Sequence, residues 1–71
     1  MSDSVYRVTE VIGTSAESWE AAAKNAVETA AQTVRDLRVA EATRFDVTVE
    51  EGKVVAYRVR LDLSFKYHAE E

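Results

Sequence analysis

Residues 54–68, Val54-Val55-Ala56-Tyr57-Arg58-Val59-Arg60-Leu61-Asp62-Leu63-Ser64-Phe65-Lys66-Tyr67-His68, decide how this chain folds. Val55, Tyr57, Val59, Leu61, Leu63, Phe65 and Tyr67 hold the odd positions. Arg58, Arg60, Asp62, Ser64, Lys66 and His68 hold the even ones from 58 onward. Successive side chains of a strand point to opposite sides of a sheet, so this alternation specifies a long strand with one apolar and one polar face. At ~3.3 Å per residue, ~14 residues span roughly 45 Å.

Immediately upstream, Phe45, Val47 and Val49 alternate with Arg44, Asp46, Thr48 and Glu50, which predicts a half-buried strand over about Val39–Val49. The phase slips before Thr43, because Ala40 and Ala42 are even-numbered. A bulge there, or a contact with another chain, accounts for the slip. Both strands carry their apolar residues at odd numbers, and directly opposite residues share a sheet face. Paired positions must therefore add to an even number. A three-residue loop, Glu50-Glu51-Gly52, satisfies this and puts Gly52 at a left-handed position. It predicts Phe45 opposite Tyr57 and Val47 opposite Val55.

Further upstream, Val5–Ile12 is β-branched and is followed by Gly13-Thr14-Ser15, which reads as a strand and a turn. Val8 and Ile12 lie on one face, Val5 and Val11 on the other, as suits a central or interface strand. A helix is predicted from Ser15 or Ser18 to Leu37. Thr14 and Glu17 fit a capping box, with Ser15 and Ser18 as competing caps. Glu17 and Glu20 suit the positive end of the helix dipole, and Arg35 and Arg38 the negative end. Its apolar stripe is Trp19, Ala23, Ala26, Ala30, Val34 and Leu37, so Trp19 supplies much of the burial at its N-terminal end. Strand, helix, strand and hairpin give β-α-β-β, an α+β fold. The longest strand lies in the centre, in the order first, last, middle. One helix of ~20 residues spans roughly 30 Å and leaves Leu63, Phe65 and Tyr67 to be covered by something else.

Composition narrows the function classes. At 71 residues the chain is read as one domain, 1–71, too short for a two-lobed enzyme with an interdomain cleft. It has no Cys, which excludes disulfides, thiolate metal sites and a thiol nucleophile. A core this small without such staples points to self-association. The formal charge of −4 argues against nucleic acid or an anionic membrane as partner. No apolar run approaches the ~18 residues of a membrane span. Met1–Ser4 has neither a basic nor an apolar leader, so a cytoplasmic location is expected.

Catalytic material is scarce. His68 is the only histidine and reads as a strand end rather than a general base. Nothing places a base beside any serine. Glu50 and Glu51 fall in a predicted turn. Gly13-Thr14-Ser15 is only a weak match to a phosphate-binding loop. Oxygen ligands for calcium could be gathered across chains from Glu17, Glu20, Glu41, Asp46 or Asp62. The even face, with Arg44, Asp46, Glu50, Arg58, Arg60 and Asp62, carries both signs of charge. It is open to two readings: a solvated face with weak ion pairs, or a subunit contact whose register the charges fix.

Three stretches carry a resemblance that spans nearly the whole chain. They are Tyr6-Arg7-Val8 … Ile12-Gly13-Thr14-Ser15, Ser18-Trp19-Glu20-Ala21-Ala22, and Tyr57-Arg58-Val59 … Ser64-Phe65-Lys66. In order and spacing they resemble the dodecin family. The resemblance implies a three-stranded antiparallel sheet wrapped around one helix, with twelve subunits forming a hollow sphere. It also implies paired flavins, riboflavin or FMN, held for storage rather than catalysis. The flavin pocket maps onto Glu17, Val39, Arg44 and Arg58, and most of these positions are substituted. Val39 stands where a Trp stacks on the flavin ring, Arg58 where a Gln bonds it, and Arg44 where some members have an acidic residue. The sequence is thus closer to the members lacking that Trp, which include a calcium dodecin type. Calcium becomes a candidate ligand, with Glu41 and Asp46 as its candidate ligands here. The resulting expectation is a non-enzymatic homododecameric shell with a degenerate flavin site, sequestering or storing a small ligand or ion. The alternative is a flavin storage dodecin with a rearranged pocket.

Overall fold

The computed structural model describes residues 4–67. The elements follow in the order β1 (Tyr6–Ser15), α1 (Trp19–Ala30), β2 (Leu37–Glu50) and β3 (Lys53–Lys66). The sheet order is β1-β3-β2, and both pairings are antiparallel. The long alternating strand is therefore central, as its pattern requires. Val59, Leu61 and Leu63 of β3 are buried with Ala22 of α1, while Val11, Ala26, Val27, Ala30 and Leu37 pack around them. Burying each valine or leucine contributes about 2 kcal/mol.

The parity argument holds, but the structure meets it differently from the expected three-residue loop. The turn has two residues: Glu51 (φ 52°) and Gly52 (φ 77°) both take positive φ, as tight hairpins favour. Glu50 pairs with Lys53 and Val49 with Val54, sums that are odd. Val55 is then an extra residue in β3, and beyond it Thr48 pairs with Ala56 and Val47 with Tyr57. Parity is restored by a bulge inside the strand. Phe45 consequently lies opposite Val59, not Tyr57, and Asp46 lies opposite Arg58. The slip near Thr43 is a bulge too: Ala42 pairs with Leu61 and Arg44 with Arg60, leaving Thr43 over. Its hydroxyl donates to the Arg60 carbonyl (3.2 Å), which satisfies an acceptor beside the interrupted ladder.

The helix is shorter than predicted, 12 residues rather than about twenty. Ser18 is its N-cap: the side chain accepts from the Ala21 amide (3.0 Å). The Thr14–Glu17 capping box does not form, because Thr14 belongs to β1. Ser15 Oγ instead accepts from the Glu17 amide (2.9 Å) in the bend between β1 and α1. At the other end Gln32 and Thr33 donate to carbonyls only three residues back. The adjacent β-branched Thr33 and Val34 disfavour another helical turn, and Asp36 at φ 59° reverses the chain into β2. Leu37 thus belongs to β2, and Arg35 and Arg38 lie beyond the last helical turn.

Gly13 is not a turn residue. It sits in β1, under the helix, where a Cβ would collide with the Ala22 carbonyl oxygen and come within 2.8 Å of the Ala26 Cβ. Close approach of helix and strand is what glycine provides here. The uncovered surface also differs from expectation. Leu63 is buried, and the larger uncovered apolar stretch is the hairpin arm, with Phe45, Val49, Val54 and Val55 exposed. A 12-residue helix is about 18 Å long, and the molecule measures 55 × 20 × 15 Å.

Candidate functional site

The register places the even-numbered residues of β3 on the sheet face away from α1, in successive rows with residues of both edge strands. Thr14, Arg58 and Asp46 form one row, and Ile12, Arg60 and Arg44 the next. Glu10, Asp62 and Glu41 follow, then Val8, Ser64 and Val39. The Thr43 bulge is what keeps Val39 and Glu41 on the same face as Arg44 and Asp46.

Arg58 holds Asp46 in a two-pronged pair, Nε to Oδ1 at 2.7 Å and Nη2 to Oδ2 at 3.0 Å. The hydrogen bonds from Arg58 lower the Asp46 pKa, and the nearby charges of Arg58, Arg60 and Arg44 act in the same direction. The same pair raises the pKa of Arg58. Arg60 reaches Glu10 only loosely, at 3.8 Å. The Asp46–Arg58 pair was missed in the sequence because a three-residue loop would set Asp46 against Ala56. The opposite charges of the two residues are the signal that favours the observed register.

The four positions that the resemblance implies for a flavin pocket do not converge within one subunit. Glu17 lies in the bend between β1 and α1. Arg44 and Arg58 occupy adjacent rows, but Val39 is three rows from Arg58, about 20 Å along the strands. Val39 is 57% exposed and offers no aromatic surface. Arg58 is committed to Asp46, so it is not free to replace an amide. Trp19 is no substitute platform. It lies on the helix side of the sheet, edge-on to Tyr57 (5.1 Å) and Phe45 (6.0 Å), and its indole N–H donates to the Asp46 carbonyl (3.0 Å). It remains 38% exposed, so it caps the end of the core rather than filling it.

Carboxylates fare no better as a calcium site in one subunit. Asp46 is held by Arg58, and Glu41 lies two rows away beside Asp62. Among the described residues no group of three or more His, Asp or Glu side chains is placed to hold a metal. His68 lies outside the described residues.

The family model for dodecin matches residues 5–68. The chain belongs to the dodecin family. It is 46% identical to the calcium dodecin of Mycobacterium tuberculosis over 63 residues, 89% of each chain. Among solved structures it is similar to the dodecin from Streptomyces coelicolor, with 41% identity, TM-score 0.91, and 99% and 100% of the two chains covered. It is also similar to the crystallised calcium dodecin of M. tuberculosis, with 43% identity, TM-score 0.83, and coverage of 96% and 97%. That relative is described as calcium-chelating, with a novel calcium-binding site. As a dodecin, this chain has the family's β-α-β-β subunit and is a small-ligand-binding protein. No helix among the described residues is long and apolar enough to cross a membrane.

Proposed function

We propose that residues 1–71 form a single-domain subunit of a cytoplasmic homododecameric shell that sequesters or stores a small ligand or ion without catalysing a reaction. The observation that carries this reading is the pair of changes at the flavin positions: exposed, aliphatic Val39 in place of the stacking Trp, and Arg58 locked onto Asp46. Losing an aromatic platform removes ~1–3 kcal/mol of stacking per ring, more than tenfold in affinity when both sides of a flavin pair lose it. Calcium, the ion named for the M. tuberculosis relative, is the favoured ligand, and a site shared between copies is the arrangement proposed for it, since no cluster of three acidic or histidine side chains is placed to hold a metal among the described residues. Riboflavin and FMN should therefore quench only weakly on titration, and calcium should release or absorb heat in calorimetry that a chelator abolishes. Micromolar or tighter quenching would restore the flavin-storage reading. No heat and no change in melting temperature would remove calcium.

A further inference from the structure

The short helix leaves one end of the sheet without a helical roof. α1 stops at Ala30 and the chain reverses at Asp36. The row in which Arg7 lies opposite Phe65 therefore faces the connecting loop. An open cavity of about 370 Å³ lies there. Arg7 lines it from β1, Phe65 from β3 and Tyr67 from just beyond it, and Val34 and Arg35 from the loop. Its volume suits a small molecule. No Asp or Glu lines it, although the chain as a whole carries a net charge of −4.

Arg7 is held by an aromatic ring and not by a carboxylate. Its guanidinium carbon lies 5.5 Å from the centre of the Tyr67 ring. None of the ion pairs among the described residues includes it. A ring attracts the cation through its quadrupole and occupies none of its N–H groups in hydrogen bonds to oxygen. Those N–H groups form a fork that matches a carboxylate or a phosphate. Beside them, Tyr67 is 43% exposed and Phe65 is half-buried, so bare ring surface adjoins the positive charge.

We propose that this cavity binds a small planar aromatic oxyanion, a ring that bears a carboxylate or a phosphate. Arg7 and Arg35 take the oxyanion, while Phe65 and Tyr67 take the ring. Charge alone would hold any anion, and rings alone any apolar molecule. The two side by side select a ligand that carries both. Arg7 and Phe65 share the helix side of the sheet, opposite the face of Val39, Arg44 and Arg58. The cavity is thus separate from those positions and does not depend on what they hold.

Calorimetry on the full chain tests this with phenyl phosphate and benzoate as probes, against phenol and inorganic phosphate as their separate halves. At least one probe should bind about tenfold or more tighter than both halves, and whichever binds tighter identifies the oxyanion. Arg7→Gln and Tyr67→Ala should each weaken that probe about tenfold, whereas Tyr67→Phe keeps the ring and should bind like wild type. Circular dichroism checks the fold of each variant, and the two Tyr67 variants decide the matter if Arg7→Gln does not fold. Probes that bind no tighter than their halves overturn the proposal, as does a Tyr67→Ala variant that binds like wild type.

Discussion

Gly13→Ala should be among the most damaging small changes in this protein. The added Cβ would collide with the Ala22 carbonyl oxygen, lie 2.8 Å from the Ala26 Cβ and 3.1 Å from the Ala22 carbonyl carbon. Two of these three neighbours are backbone atoms of α1, so no rotamer change relieves them. The helix must move off the sheet, loosening its contacts with Val59 and Leu61. Overpacking of this kind costs about 1–3 kcal/mol, and a backbone collision belongs at the upper end. For a domain of this size 1 kcal/mol shifts Tm by roughly 4–8 °C, so a fall on the order of 15 °C is expected. Thermal melts at equal subunit concentration measure it, because assembly makes Tm concentration-dependent. The double variant Gly13→Ala/Ala26→Gly separates the two contacts. It removes the Cβ–Cβ clash and leaves the carbonyl clash, so it should recover little. A Tm within about 2 °C of wild type for Gly13→Ala would refute the claim that glycine is needed for helix–strand approach.

Three further outcomes test the outer face and the end of the sheet. Asp46→Asn removes a carboxylate whose pKa lies below the ordinary value of 3.8. Its ionic contribution is present above that value and lost as pH falls through the depressed one, so acid melts should separate wild type from variant above that window and converge below it. Equal pH dependence throughout would show that the pair contributes nothing. Val39→Trp combined with Arg58→Gln installs the aromatic platform and the amide that the dodecin resemblance implies. Flavin quenching should tighten more than about tenfold, and unchanged affinity would place the platform elsewhere. Phe65→Asp sets a charge between Arg7 and Leu37 where β3 meets both edge strands; a monomeric, poorly folded chain is expected, and an intact large assembly in sedimentation would contradict it.

The strand order and the central position of β3 were legible from the strand, helix, strand and hairpin connectivity and the length of the last strand; side-chain parity located the slip near Thr43 but left a bulge and a contact with another chain as equal explanations. Parity also required an even register in the hairpin, but it could not say where the odd residue would go. A loop and an in-strand bulge at Val55 satisfy it equally, and only the second sets Asp46 against Arg58. The helix end was illegible for a related reason. Ala30, Val34 and Leu37 continue the helical spacing, yet Leu37 reaches the core from a strand after Asp36 turns the chain. Periodicity reports which residues face the core and not which element carries them there. Gly13 was misread because glycine marks turns and close approaches alike, and the sequence does not show what lies above it.

The candidate site was legible only as separate positions, and the register explains why. Val39 and Arg58 belong to the same sheet face but lie about 20 Å apart, so nothing in one subunit joins them. The core has the same incompleteness. Val59, Leu61, Leu63 and Ala22 are the fully enclosed hydrophobic residues described, in a chain whose hairpin arm and outer face expose Phe45, Val49, Val8 and Ile12. So small a core, with no disulfide, fits the proposal that other copies of the chain supply further contacts. If those contacts also assemble the pocket, a ligand that bridges copies binds only the assembled state. Its binding then stabilises the fold by mass action, and substitutions on the outer face should alter stability and ligand affinity together rather than separately.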